Sequence, residues 1–408
     1  MGNMWKKDIV LFLASQTISY FGSLLVSYAI TWYITLQTKS GTLMTISILC
    51  SFLPTFFISP FGGVWADRYS RKMLIVISDS SIAISTLILA LLFLAGYDHL
   101  WLLFFASAIR ALGAGVQMPA INALIPQIVP EDKLTKVNAS NSTLQSVVTL
   151  ISPIMSAALL SKASIEAIFF IDVVTAAIAV LILLIFLKIK EQVIDSTKNK
   201  SGYFNELIEG FCYVREHDFV KTLFLFNAVF FILIAPIAFL TPLQVARSFG
   251  SDVWLLTALE VVYSAGMIIG GIIMTRWNGF YNRVHTIVFS NIIFSISNIA
   301  IGIVGNYIIY LFFIGLTGLV FPVFNIPFTV LLQEKVHPNF IGRVFGFFNM
   351  IASSIMPLGM IIFGPLSDLI KIEWLLIITG ILLLAQSILM FFNRVLIEAG
   401  KPRATSDS

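Results

Sequence analysis

The sequence predicts an all-α membrane protein of twelve transmembrane helices in two six-helix halves. Three observations carry this: an apolar composition, twelve apolar runs of membrane-crossing length, and landmarks that recur at about half the chain length.

Of the 408 residues, 58% are hydrophobic and 11% charged, and the mean hydropathy is +0.95. A single soluble core cannot bury that much apolar surface, so the class is a polytopic membrane protein. The formal net charge of +4 is spread over short loops, with no basic domain for nucleic acid. Cys50 and Cys212 lie far apart and make no disulfide framework. His99, His217, His285 and His337 lack metal-ligand spacing, and no phosphate-binding Gly-Lys loop is present. The expectation is therefore no enzyme, metal or cofactor, and an ion gradient instead of ATP as the energy source.

The runs are Ile9 to Leu36, Thr42 to Ala66, Met73 to Tyr97, Leu100 to Ile125, Thr143 to Leu160 and Ser164 to Leu187 in the first half. Phe219 to Val245, Val253 to Thr275, Val284 to Val304, Tyr307 to Leu332, Val344 to Leu366 and Trp374 to Phe392 follow in the second. The first run is too long for a signal-peptide core and reads as a retained span. An even number of spans puts both termini on one side. If that side is cytoplasmic, twenty of the 25 Lys and Arg fall inside, only Lys39, Lys162, Arg247 and Lys371 fall outside, and Arg110 lies within a span.

This divides the chain into a first bundle over 1–187, a polar linker over 188–218, a second bundle over 219–396 and a cytoplasmic tail over 397–408. Within the linker, Phe204, Leu207, Ile208 and Phe211 share one helical face. That face suits either the inner leaflet or the floor of a bundle. Gly115-x-x-x-Pro119-x-x-Asn122 recurs as Gly318-x-x-x-Pro322-x-x-Asn325, 203 residues on; Pro153 and Pro357 are 204 apart; Gly63 and Arg68 recur as Gly271 and Arg276, 208 apart.

Between the second and third runs sits the charged island Gly63-Val64-Trp65-Ala66-Asp67-Arg68-Tyr69-Ser70-Arg71-Lys72. The basic residues anchor the loop inside. Gly63 and Asp67 are not needed for that: a glycine one turn before an acid admits a neighbouring helix, and the acid can pair with a base or a helix N-terminus. The pattern reads as a latch, which Asp79, two turns into the next span, is expected to join by pairing with Arg68 or Arg71, in preference to the alternative of carrying protons. In the second half Thr275 stands where Asp67 stands in the first.

The Gly-x-x-x-Asp-Arg-x-x-Arg-Lys island resembles the loop between the second and third helices of the major facilitator superfamily, and Arg110-Ala-Leu-Gly113-Ala-Gly115 resembles that family's Arg-x-x-Gly-x-Gly pattern. Thr38-Lys39-Ser40-Gly41-Thr42, Pro130-Glu131-Asp132-Lys133-Leu134, Gln333-Glu334-Lys335-Val336 and Gly342-Arg343-Val344-Phe345 are similar to the macrolide-efflux branch of its drug:proton antiporters, over about Leu11 to Phe392. That branch also contains siderophore exporters and a lysophospholipid transporter. Two features depart from the pattern: Ser152-Pro153-Ile154-Met155-Ser156 carries no glycine on span five, and Gly22-Ser23 places no acid after the glycine of span one.

The resemblance implies the major facilitator fold and a secondary exporter in the cell membrane, working as a monomer by alternating access. The cargo would be a hydrophobic or amphipathic small molecule such as a macrolide; the alternatives are a native metabolite, siderophore or lysophospholipid, or a sensor without flux. Arg110 would serve proton coupling or cavity orientation, or simply satisfy carbonyls of a neighbouring helix. Carboxylates inside a span are costly and mark ion pathways. Glu260 is the leading proton carrier, with Asp172 a second or merely a hydrated residue near the outer interface. The family's cavity is lined by spans one, four, seven and ten, which points to Gln16, Tyr20, Trp32, Asn122, Asn227, Phe230, Phe324 and Asn325, with Phe231 nearby.

Overall fold

The computed structural model describes residues 4–130, 133–187, 203–337 and 340–401. The described chain is helical: α1 (Met4–Thr38), α2 (Gly41–Arg68), α3 (Arg71–Leu94), α4 (Leu100–Ile128), α5 (Leu134–Leu160), α6 (Ile165–Phe186), α7 (Tyr203–Glu216), α8 (Asp218–Ser248), α9 (Val253–Trp277), α10 (Arg283–Ile303), α11 (Tyr307–Lys335), α12 (Ile341–Leu369), α13 (Ile372–Phe392) and α14 (Arg394–Ala399). Eleven of these are long and apolar enough to cross a membrane, and α12 adds the apolar stretch Ser354–Leu369. In hydrocarbon every backbone polar group must find its partner inside the chain, and the α-helix does this within one segment. Prolines inside α2, α4, α5, α8, α11 and α12 are tolerated in this setting.

The chain divides into two compact units: Met1–Thr38 with Ile46–Lys200, and Lys39–Thr45 with Ser201–Ser408. In unit 1, α1 packs on α5 and α6, and α3 packs on α4 and α6. In unit 2, α8 packs on α12 and α13, and α10 packs on α11 and α13. The pairing of the first six spans thus recurs among the last six.

The repeat extends to single glycines. A Cβ on Gly115 would sit 2.3 Å from Ile58 of α2, and one on Gly318 would sit 2.2 Å from the Tyr263 carbonyl of α9. In each double glycine the first residue is the packed one: a Cβ on Gly62 would lie 2.7 Å from the Gly115 carbonyl, and one on Gly270 would lie 1.9 Å from the Leu319 carbonyl. Gly63 and Gly271 have nothing within 4 Å of that position among the described residues. The expectation that Gly63 admits a neighbouring helix is corrected: Gly62 does so, because residues one apart on a helix point about 100° away from each other.

Residues 39–45 belong to unit 2 because Asp368, at the end of α12, caps the start of α2. Its carboxylate accepts from the Gly41 amide at 2.7 Å, the Thr42 amide at 2.9 Å, the Thr42 hydroxyl at 2.7 Å and the Ser40 hydroxyl at 2.9 Å. Arg247 bonds the same carboxylate at 2.7 Å and the Lys39 carbonyl at 2.6 Å. An acid at a helix N-terminus satisfies amides that have no partner within the helix.

The linker helix α7 lies against α12 and α8. Phe211 meets Phe347 with ring centroids 5.7 Å apart, Tyr213 stacks on Phe340 at 4.8 Å, and Arg343 pairs with Glu209 at 2.9 Å. Of the two alternatives for this helix, the floor of a bundle is the one occupied. Phe204, Leu207 and Ile208 lie outside the described side chains, as do residues 188–202 and 402–408 altogether. The start of the expected tail is instead docked: α14 buries Leu396, the Asn282 amide donates to the Ile397 carbonyl at 2.8 Å, and the Arg283 amide donates to the Gly400 carbonyl at 3.1 Å.

Candidate functional site

Unit 1 contains a cavity of about 360 Å³ between α1, α2, α4 and α5, within the range of small-molecule sites. Its polar wall follows from spacing. Ser19, Ser23, Ser27 and Thr31 recur every fourth residue on α1, and Ser47, Ser51 and Thr55 do so on α2. Four-residue steps keep side chains on one helix face, so each series forms a stripe of hydroxyls. Gln16, Gln117, Asn141 and Gln145 add amides, and Arg110 is the one charged side chain lining the cavity among the described residues.

Four of the cavity hydroxyls share one polarity. Thr17 donates to the Leu13 carbonyl at 2.7 Å, Thr31 to Ser27 at 2.8 Å, Ser51 to Ser47 at 3.0 Å and Thr55 to the Ala111 carbonyl of α4 at 2.8 Å. A hydroxyl has one proton and two lone pairs. With the protons used on backbone, these residues offer acceptors to whatever fills the cavity.

Behind the wall lie two buried carboxylates. Asp172 on α6 is fully buried and forms an ion pair with Arg110. Arg110 also donates to the Thr86 hydroxyl and, at 3.1 Å, to the Ser23 carbonyl, while Thr86 donates to Asp172 at 3.1 Å. Gly22 makes this possible: a Cβ there would lie 2.0 Å from the Thr175 hydroxyl and 3.0 Å from the Asp172 carboxylate. The reading of Asp172 as a hydrated interface residue is thereby corrected. Its burial is sustained because a buried charge needs an opposite charge and hydrogen bonds.

Asp79 on α3 is 1% exposed. One carboxylate oxygen accepts from the Ser19 hydroxyl at 2.6 Å and the Gln117 amide at 2.8 Å; the other has no partner among the described residues. The expected pairing of Asp79 with Arg68 or Arg71 is not the one formed. Two turns of helix carry Asp79 away from the loop, while Arg71 donates to the Ala66 carbonyl at 2.9 Å and the Ala123 carbonyl at 2.7 Å. Lys72 donates to the Leu187 carbonyl at 2.7 Å. Lys72 and the Arg71 bond to Ala66 serve helix C-termini, where carbonyls lack donors. Arg68 is exposed, and the Asp67 side chain lies outside the described ones.

The remaining expected residues scatter. Gln16 and Tyr20 line the unit 1 cavity, whereas Asn122 is exposed outside it. Trp32 is 1% exposed and packs against Tyr28. In unit 2, Asn227, Phe230 and Phe324 are buried, with the Phe230 and Phe324 rings stacked 4.3 Å apart, and Phe231 is buried beside them. Trp32 is therefore a core residue here, since large rings gain most from full burial, whereas Asn227, Phe230 and Phe324 line a small cavity of about 10 Å³ within unit 2, where neither amide atom of Asn227 has a partner among the described residues. Asn325 is half-buried and accepts from the Thr329 hydroxyl at 3.4 Å. Glu260 on α9 is partly exposed and has no hydrogen bond or ion pair among the described residues. Ser47, Ser51, Thr55, Asn141 and Gln145 were missed by assigning the cavity to other spans; the four-residue hydroxyl series was the signal.

Eleven apolar helices of membrane-crossing length among the described residues, a hydrogen-bonding cavity within unit 1 and ionisable groups buried behind its wall define a polytopic membrane transporter. The chain belongs to the Major Facilitator Superfamily, whose family model matches residues 12–359 and 223–407. It is 29% identical over 390 residues to Macrolide efflux protein A of Streptococcus pyogenes, covering 95% of this chain and 96% of that protein. It is 30% identical over 325 residues to Macrolide efflux protein A of Enterococcus faecalis, covering 78% of this chain and all of that protein. Its fold is similar to that of the crystal structure of nucleoside transporter NupG, with TM-score 0.71 at 15% identity over 96% of this chain and 100% of that one.

Proposed function

We propose that this transporter exports an amphipathic compound bearing hydroxyl and amine groups, of which a macrolide is the leading case, in exchange for protons by alternating access. The observation that carries the reading is the acceptor-rich wall of the unit 1 cavity: Thr17, Thr31, Ser51 and Thr55 have spent their protons on backbone carbonyls and turn lone pairs to the cavity. Such a wall suits a cargo whose surface carries donors on an apolar frame. The relatives named for macrolide efflux support the same cargo and direction.

In this reading the protein sits in the cell membrane with both termini cytoplasmic, as the Lys and Arg distribution requires. Glu260 and the Arg110 and Asp172 pair serve proton coupling, and Asp67 latches the cytoplasmic side. A siderophore or lysolipid headgroup also carries donors, and the cavity accommodates that second reading.

The test is accumulation of labelled erythromycin in a pump-deficient bacterial host producing the wild type or Asp67→Asn, with and without a protonophore. The expected result is lower accumulation with the wild type alone, abolished by the protonophore. Equal accumulation in every strain, with the protein present in the membrane, removes the macrolide. Wild-type export by Asp67→Asn removes the latch.

A further inference from the structure

Unit 1 holds one buried ionisable group to which neither the cavity wall nor the Arg110 pair gives a role. Asp79 is 1% exposed, one of its oxygens has no partner among the described residues, and both donors to its other oxygen, Ser19 and Gln117, line the cavity. A structural carboxylate at this depth is expected to meet a base or to have both oxygens bonded. Asp79 has neither.

We propose that Asp79 is a proton-binding site of the transport cycle and that Ser19 relays its protonation state to the cavity. The inference rests on the reading of the protein as a proton-driven exporter. Ser19 gives its hydroxyl proton to Asp79 and keeps its lone pairs for the cavity, so a cargo donor on Ser19 completes a chain from cargo to Ser19 to carboxylate. Hydrogen bonds in such a chain polarise one another. The ionised carboxylate strengthens the hold of Ser19 on a donor or a cation, and a proton placed on the free oxygen weakens it. Cargo and proton then oppose each other, which is the linkage an antiporter needs.

The surroundings allow this. The titratable groups on helices packed about α3 are Arg110 on α4 and Glu166 and Asp172 on α6, with Lys6, Lys7, Asp8, Tyr20, Tyr28 and Tyr33 on α1, whose Ser19 reaches Asp79. Of these, Asp172 is paired with Arg110. Arg71 and Lys72 on α3 are held by backbone carbonyls at the helix ends. No base therefore pairs with Asp79 among the described residues, and a proton remains the group that neutralises it.

Two measurements on the purified full chain decide the matter. The first is infrared difference spectroscopy between acidic and alkaline buffer, without cargo. A titrating carboxylic acid C=O band is expected in the wild type, lost in Asp79→Asn, and shifted in Ser19→Ala, which removes a bond to the carboxyl. Asp79→Glu keeps a carboxyl and should move the band without abolishing it, which separates loss of the group from loss of the fold. An unchanged set of titrating bands in Asp79→Asn overturns the proposal. The second is binding of labelled erythromycin across the same pH range. Affinity should fall toward acid in the wild type and become independent of this titration in Asp79→Asn; the same pH dependence in both overturns the relay. If the wild type binds no erythromycin, the macrolide reading fails while the infrared result still decides the proton site.

Discussion

A single buried ion pair sets the chemistry of unit 1. Arg110 holds Asp172, Thr86 and the Ser23 carbonyl at once, a fan of bonds that a planar guanidinium can make and an ammonium cannot reproduce. Removing one partner leaves the other charged and buried, at a cost of about 3 to 5 kcal/mol. Asp172→Asn should therefore lower the thermal midpoint of the purified protein and abolish transport, and Arg110→Lys, which keeps the charge but not the fan of bonds, should abolish transport with a smaller loss of midpoint. The pair Arg110→Met with Asp172→Leu, which removes both charges, should recover much of the midpoint and none of the transport. Recovery of transport in that double variant would make the pair purely structural.

At the scale of elements, the same two glycine contacts appear in both units. Gly62 and Gly270 lie at helix crossings, while Gly63 and Gly271 do not. Gly62→Ala forces a methyl within 2.7 Å of the Gly115 carbonyl, and overpacking of this kind costs about 1 to 3 kcal/mol. Thermal unfolding should report that loss for Gly62→Ala and for Gly270→Ala, with little change for Gly63→Ala and Gly271→Ala. The glycines themselves were legible in the sequence, as were the hydroxyl stripes of α1 and α2. Which member of each pair touches a neighbour was not, since helix rotation is set by packing partners that lie far away in the chain.

The whole molecule repeats its packing as well as its landmarks: α1 with α5 and α6 is echoed by α8 with α12 and α13. Orientation in the membrane is testable without adding residues, because the chain has two cysteines and Cys212 on α7 is exposed. In a Cys50→Ser background, a membrane-impermeant thiol reagent should leave Cys212 unlabelled in intact cells and label it in inside-out vesicles. The opposite pattern would place α7 and both termini outside.

The sequence by itself determined the membrane-crossing runs, because hydropathy and backbone satisfaction in lipid are properties of each segment alone, while the repeated landmarks and the family were carried by motifs. Tertiary structure decided which polar groups meet. Asp79 went to Ser19 and Gln117 instead of the hinge arginines, Asp172 to Arg110, and Trp32 to a packed core. The physical reason is that a membrane helix is apolar toward lipid and toward its neighbours alike, so periodicity carries little information about which face turns inward. Only the neighbouring helices, through close glycine contacts and buried hydrogen bonds, select that rotation.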